Sequence, residues 1–146
     1  MADKTEALKD LYTRLIDSHD GYEQASKLAD QSAHKQLFSS QIERRARNAQ
    51  EVKQFLAKAG TQIDDDGSLL AAAHRTWLSL KDTVTSGDDK ILAEVIRGEE
   101  ELLSTYDKAI AAAGAGDPEL NWLSDQYTDL KMLVEDLKGR ESRAAA

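Results

Sequence analysis

Cysteine is absent from this 146-residue chain, which excludes disulfides, thiolate catalysis and cysteine-ligated zinc or iron–sulfur centres. Proline occurs once, so almost nothing interrupts a helical backbone. Phenylalanine, tryptophan and tyrosine together reach only 5%, which calls for an aliphatic core with a few aromatic plugs. No apolar run approaches the roughly 20 residues of a membrane span. The amino-terminal stretch Met1-Ala2-Asp3-Lys4-Thr5-Glu6 lacks the apolar centre of a secretory signal. Positive charge is scarce as well: 19 Lys and Arg stand against 27 Asp and Glu, a net charge of −8. Displacing counterions from a phosphate backbone needs concentrated Lys and Arg, so nucleic acid is not an expected partner, and the Glu43-Arg44-Arg45-Ala46-Arg47 run is too short to change that. These absences predict a cytoplasmic protein that binds neither nucleic acid nor membrane.

What remains is a chain rich in helix-forming residues, 40% hydrophobic and 32% charged, and of one domain by size. Apolar residues recur at helical spacing in five segments. The first runs from about Thr5 to Ala29 with Leu8, Leu11, Leu15, Tyr22, Ala25 and Ala29 on one stripe. The second runs from about His34 to Lys58, with Phe38, Ile42, Ala49, Val52, Leu56 and Ala59 on its face, and Gly60 suits the residue just past its end. A shorter third helix carries Leu69, Leu70, Ala73, Trp77, Leu80 and Val84. The fourth carries Leu92, Val95, Ile96, Leu102, Leu103, Tyr106 and Ile110. Asp117-Pro118-Glu119 opens the fifth as an N-cap, a proline at the first helical position and an acidic first turn, ahead of Leu120, Leu123, Tyr127, Leu130, Val134 and Leu137. Residues 138–146 are polar or small and predict a frayed tail.

Short links after the first and fourth helices favour antiparallel hairpins, whereas Gly60 to Gly87 is long enough to travel the length of a bundle. The expected fold is therefore all-α: a ferritin-like four-helix bundle spanning residues 1–146, with an additional helix in the long crossover between the second and third bundle helices.

Three polar residues sit where periodicity calls for apolar ones: His19, Arg45 and Glu99. A bundle that keeps polar groups midway along its axis is a natural place for a metal or ligand. Di-iron bundles take a Glu from each of two helices and Glu-x-x-His from each of the other two, because residues three apart share a helical face. Here Ile16 precedes His19 by three, Gln31 precedes His34 and Ala71 precedes His74, so no such pair exists. An inward Arg45 also opposes a cation and demands a carboxylate partner to offset its desolvation. The reading that follows is a polar core network of His19, Tyr22, Arg45, Glu99 and Tyr106, with no cofactor and no catalytic residue. The alternative is an all-carboxylate iron or manganese site drawing on Glu23, Glu51 and Glu99, with Glu43 and Glu100 as further candidates.

Four pieces, His19-Asp20-Gly21-Tyr22, Gly67-Ser68-Leu69-Leu70-Ala71-Ala72-Ala73-His74-Arg75-Thr76-Trp77, Arg97-Gly98-Glu99 with Tyr106, and Gln126-Tyr127, carry a resemblance that spans Leu8 to Leu137. The chain resembles a family of uncharacterised bacterial ferritin-like four-helix-bundle proteins. That resemblance implies the fold and a bacterial cytoplasmic, stress-associated setting, and it implies no established reaction. The family often places a histidine near the position of Val134 and an aromatic near Asn48, and this chain has neither.

Asp64-Asp65-Asp66-Gly67 does not make a calcium loop, since Gln62 and Ala73 would occupy the first and last ligand positions; a turn with an N-cap at Asp66 or Ser68 suits it better. His74, Arg75, Trp77 and Trp122 are the candidate partner or ligand contacts. With no phosphate loop or nucleophile elbow in the chain, the expected function is that of a non-enzymatic, self-associating, stress-associated bundle protein; the runner-up is a degenerate ferritin-like metal protein.

Overall fold

The structure, a computed structural model, describes residues 4–63, 87–114 and 120–145. Among these residues it contains four α-helices and no strand: α1 (Lys4–Leu28), α2 (Ser32–Lys58), α3 (Asp88–Ala113) and α4 (Asn121–Ala145). None of these four helices is long and apolar enough to cross a membrane. The crossover helix expected between Leu69 and Val84 lies outside the described residues, as do His74, Arg75, Trp77, the Asp64–Gly67 turn and the Asp117 cap.

Two local features follow directly from residue type. Past α2, Gly60 adopts φ +89°, its N–H bonds to the Ala57 carbonyl, and the Thr61 N–H bonds to the Leu56 carbonyl at 2.8 Å. That paired closure needs a left-handed residue, which only glycine supplies without steric cost. At the other end of the chain, α4 continues to Ala145 where the sequence predicts fraying. Gly139 is the single weak former there, and Arg140 pairs with Asp136 one turn back at 3.2 Å.

Helix direction is set by contacts at the two ends of the bundle. The Asp88 carboxylate, at the start of α3, accepts the backbone N–H groups of Asp30 and Gln31, just ahead of α2, at 2.9 Å each. Hence α2 and α3 begin at the same end and run parallel, and α1, which finishes there, is antiparallel to both. At the opposite end Phe55 of α2 meets Trp122 of α4, ring centroids 5.8 Å apart, so α4 is antiparallel to α2 and α3. The connection from Ile63 to Gly87 thus joins opposite ends of helices about 39 Å long at 1.5 Å per residue. α1 packs on α2 and α3, and α4 packs on α3.

The apolar interior forms two clusters. One holds Leu8, Leu11, Leu15, Val52, Leu56, Leu102, Tyr106, Leu123 and Leu130. The other, towards the α1–α2 turn, holds Tyr22, Phe38, Ile91, Leu92, Val95, Ile96 and Leu137. Each fully buried leucine or isoleucine contributes roughly 1.5–3 kcal/mol, so these clusters drive folding. Between them, at mid-height on α1, α2 and α3, lie the buried polar residues Asp17, Ser18, Gln41, Arg45 and Glu99.

Candidate functional site

The polar layer arises from unbroken heptad spacing. Along α3 the buried positions Asp88, Val95, Leu102 and Ala109 repeat every seven residues, and Leu92, Glu99 and Tyr106 form the companion row. Glu99 therefore occupies a seam position and has no route to solvent; its exposure is 0%. On α1 the rows are Leu8, Leu15 and Tyr22, and Leu11, Ser18 and Ala25. Arg45 of α2 projects into the same level and is 2% exposed.

These side chains close into a ring. The Arg45 Nη2 donates to Glu99 Oε2 at 2.5 Å, and Arg45 Nε donates to Ser18 Oγ at 3.1 Å. Ser18 Oγ passes its own proton bond to Glu99 Oε1 at 2.9 Å. The Tyr22 hydroxyl adds a donor to Glu99 Oε2 at 2.9 Å, and its ring lies 5.8 Å from the guanidinium carbon. Ser18 matters because it satisfies both charges at once: it accepts from the cation and donates to the anion.

Electrostatics reinforce the closure. Burial disfavours a charged guanidinium, but Glu99 first and then Tyr22 overcome that penalty and hold Arg45 above its ordinary value. Burial, followed by the negative charge of Glu99, pushes the Tyr22 hydroxyl well above the usual phenol range. Tyr22 thus remains an O–H donor rather than a phenolate. With three donors on its two oxygens, Glu99 is engaged as a structural acceptor. The cation that neutralises it belongs to the protein itself.

A second buried carboxylate, Asp88, is held differently. Besides the Asp30 and Gln31 amides it lies 3.2 Å from His34 Nδ1, and both side chains are largely covered. Burial raises its carboxyl, while the two amide bonds and His34 lower it by more, leaving it below the ordinary carboxylate value. The N-cap of α2, Gln31, makes no side-chain capping bond, so Asp88 supplies from another helix the acceptor that this turn lacks.

Of the five expected network residues, the fold brings Tyr22, Arg45 and Glu99 together. His19 lies one residue, or about 100° of helical rotation, away from the seam. It pairs instead with Asp20 at 3.0 Å and with Glu23 at 3.4 Å on a part-exposed face. Tyr106 is buried on the Glu99 row, but its hydroxyl donates to Gln126 of α4 at 2.6 Å. Burial pushes that hydroxyl above its ordinary value, with Arg45 working against the shift and Glu99 adding to it. The carboxylates of the metal alternative do not converge. Glu23 serves His19, and exposed Glu51 lies six residues past Arg45, roughly 9 Å along the axis. Glu43 is exposed and Glu100 pairs with Lys138 at 3.1 Å. Among the described residues no three His, Asp or Glu are grouped so as to hold an ion. Trp122 is half-buried against Phe55, rather than fully presented on the surface.

Ser18, Asp88, His34 and Gln126 were not anticipated as site residues. Heptad counting reveals the first two: Ser18 stands seven residues after Leu11, and Asp88 stands seven before Val95. His34 and Gln126 carry no such signal beyond lying on buried faces.

Fold and site together define an all-α helical-bundle protein whose core is interrupted by a buried ion-pair layer of Ser18, Tyr22, Arg45 and Glu99. Residues 3–112 match the family described as Domain of unknown function (DUF2383), and the chain belongs to that family. The matched stretch takes in Ser18, Tyr22, Arg45, Asp88 and Glu99, whereas Trp122 and Gln126 of α4 lie beyond it. No curated protein and no solved structure matches the chain.

Proposed function

We propose that this chain is a non-enzymatic, ferritin-like helical-bundle protein of the bacterial cytoplasm, in which a guanidinium replaces the metal centre of a ferritin-like core. It works as a stress-associated scaffold that associates with copies of itself. One observation carries the reading of the core: both oxygens of Glu99 are occupied by Ser18, Tyr22 and Arg45. A buried carboxylate that already accepts three internal donors, with a fixed positive charge against it, has no electrostatic need for a bound cation. This reading places Met132 of α4, 65% exposed, in the association surface.

Two measurements test this reading. Elemental analysis of protein purified without chelator is expected to give iron, manganese and zinc far below one per chain. Stoichiometric metal would instead favour a degenerate ferritin-like metal protein using bundle carboxylates. Light scattering on the purified chain is expected to show a dimer or larger assembly, and a strict monomer would remove the self-association.

A further inference from the structure

Among the described residues, Phe55 and Trp122 meet at the lining of an open groove of about 650 Å³ between the end of α2 and the starts of α1 and α4. We infer that this groove is a binding site for a flat aromatic monocarboxylate. Its volume falls in the range of small-molecule sites, roughly 300–1,000 Å³. The Phe55 and Trp122 rings both line the groove and meet at 51°, a tilted pair rather than a closed stack. A planar ring system lies against such rings with favourable offset contacts. Charge selects the polar end of the ligand. Lys4 and Lys58 both line the groove, and the Lys4 ammonium stands 5.6 Å over the Phe55 ring, next to where the ligand would lie. In a chain of net charge −8, two lysines beside two aromatic rings form a local positive feature that attracts an anion. With Glu51 also in the lining, the two lysines leave the groove one net positive charge, the complement of a monoanion, and Gln54 adds a neutral polar side chain. Trp122 falls outside the stretch matched by the family, and the groove shares no lining residue with the Glu99 layer.

The test follows the two tryptophan indole N–H signals of the labelled full-length protein by NMR, assigned with Trp77→Phe and Trp122→Phe. The probes are 2-naphthoate and its oppositely charged analogue naphthalene-2-methylamine. The expected result is a saturable shift of the Trp122 signal with 2-naphthoate and about tenfold weaker binding of the amine, a difference of about 1.4 kcal/mol. The double variant Lys4→Glu/Lys58→Glu, whose changes lie at the rim and whose helicity is checked by circular dichroism, should abolish that preference. Equal binding of acid and amine, an unmoved Trp122 signal at saturating probe, or unchanged affinity in the folded double variant would each overturn the assignment.

Discussion

Two of the carboxylates buried in this bundle, Glu99 and Asp88, are accommodated by opposite means. Glu99, at mid-height, is neutralised by a full positive charge and by hydroxyls from α1, all of them side chains. Asp88, at one end, is held by two backbone amides and an imidazole, so most of its partners are groups the chain cannot mutate away. The first arrangement specifies how three helices register against one another. The second ties the α1–α2 turn to the start of α3, after the chain has returned from the far end. A side-chain lock of this kind fails when either charged member is lost, because the remaining charge is stranded in an apolar interior. A backbone-supported anion is less exacting, because its amides can turn to water near the surface.

That contrast is open to disruption by substitution, in descending order of effect. Glu99→Ala strands the Arg45 cation and should lower unfolding stability by about 3–5 kcal/mol, read from urea denaturation. Asp88→Ala should cost less, about 2 kcal/mol at neutral pH, since it removes charge-assisted bonds to partly accessible donors. Its cost should also depend on pH in a definite direction. The Asp88 carboxyl is lowered in the folded state, so its contribution is complete above the unfolded value near about 3.9 and is lost as pH falls through the folded value. The stability difference between the native chain and Asp88→Ala should therefore shrink below about pH 4; a difference that grew on acidification would contradict this description of Asp88. Tyr22→Phe deletes one of the three donors to Glu99 and should cost about 1 kcal/mol. His19→Ala, which breaks only part-exposed pairs with Asp20 and Glu23, should change stability by less than about 0.5 kcal/mol.

Much of the scaffold was legible from periodicity. The helix from Lys4 to Leu28, the Gly60 stop and the long return between α2 and α3 all follow from apolar spacing and glycine placement. An inward Arg45 required an acid, and Glu99 was the acid at matching height. The errors are equally physical. His19 drew attention as a rare residue inside a stripe, but the stripe's own seven-residue step assigns the seam to Ser18, whose small hydroxyl fits between two charges. Tyr106 lies on the expected row, yet its hydroxyl is directed at α4, and a residue's row does not reveal which neighbour faces its tip. The Asp88 tie was hidden because its main partners are the backbone amides of Asp30 and Gln31, and an amide leaves no mark on residue type.

The interlocking of Arg45 and Glu99 is tested most directly by a double-mutant cycle in urea with Arg45→Met, Glu99→Leu and the pair combined. If the two charges exist to satisfy each other, each single variant loses about 3–5 kcal/mol and the double variant recovers most of that loss. Single losses below about 1 kcal/mol, or a double variant whose loss equals the sum of the two, would show that the ion pair does not hold the core together.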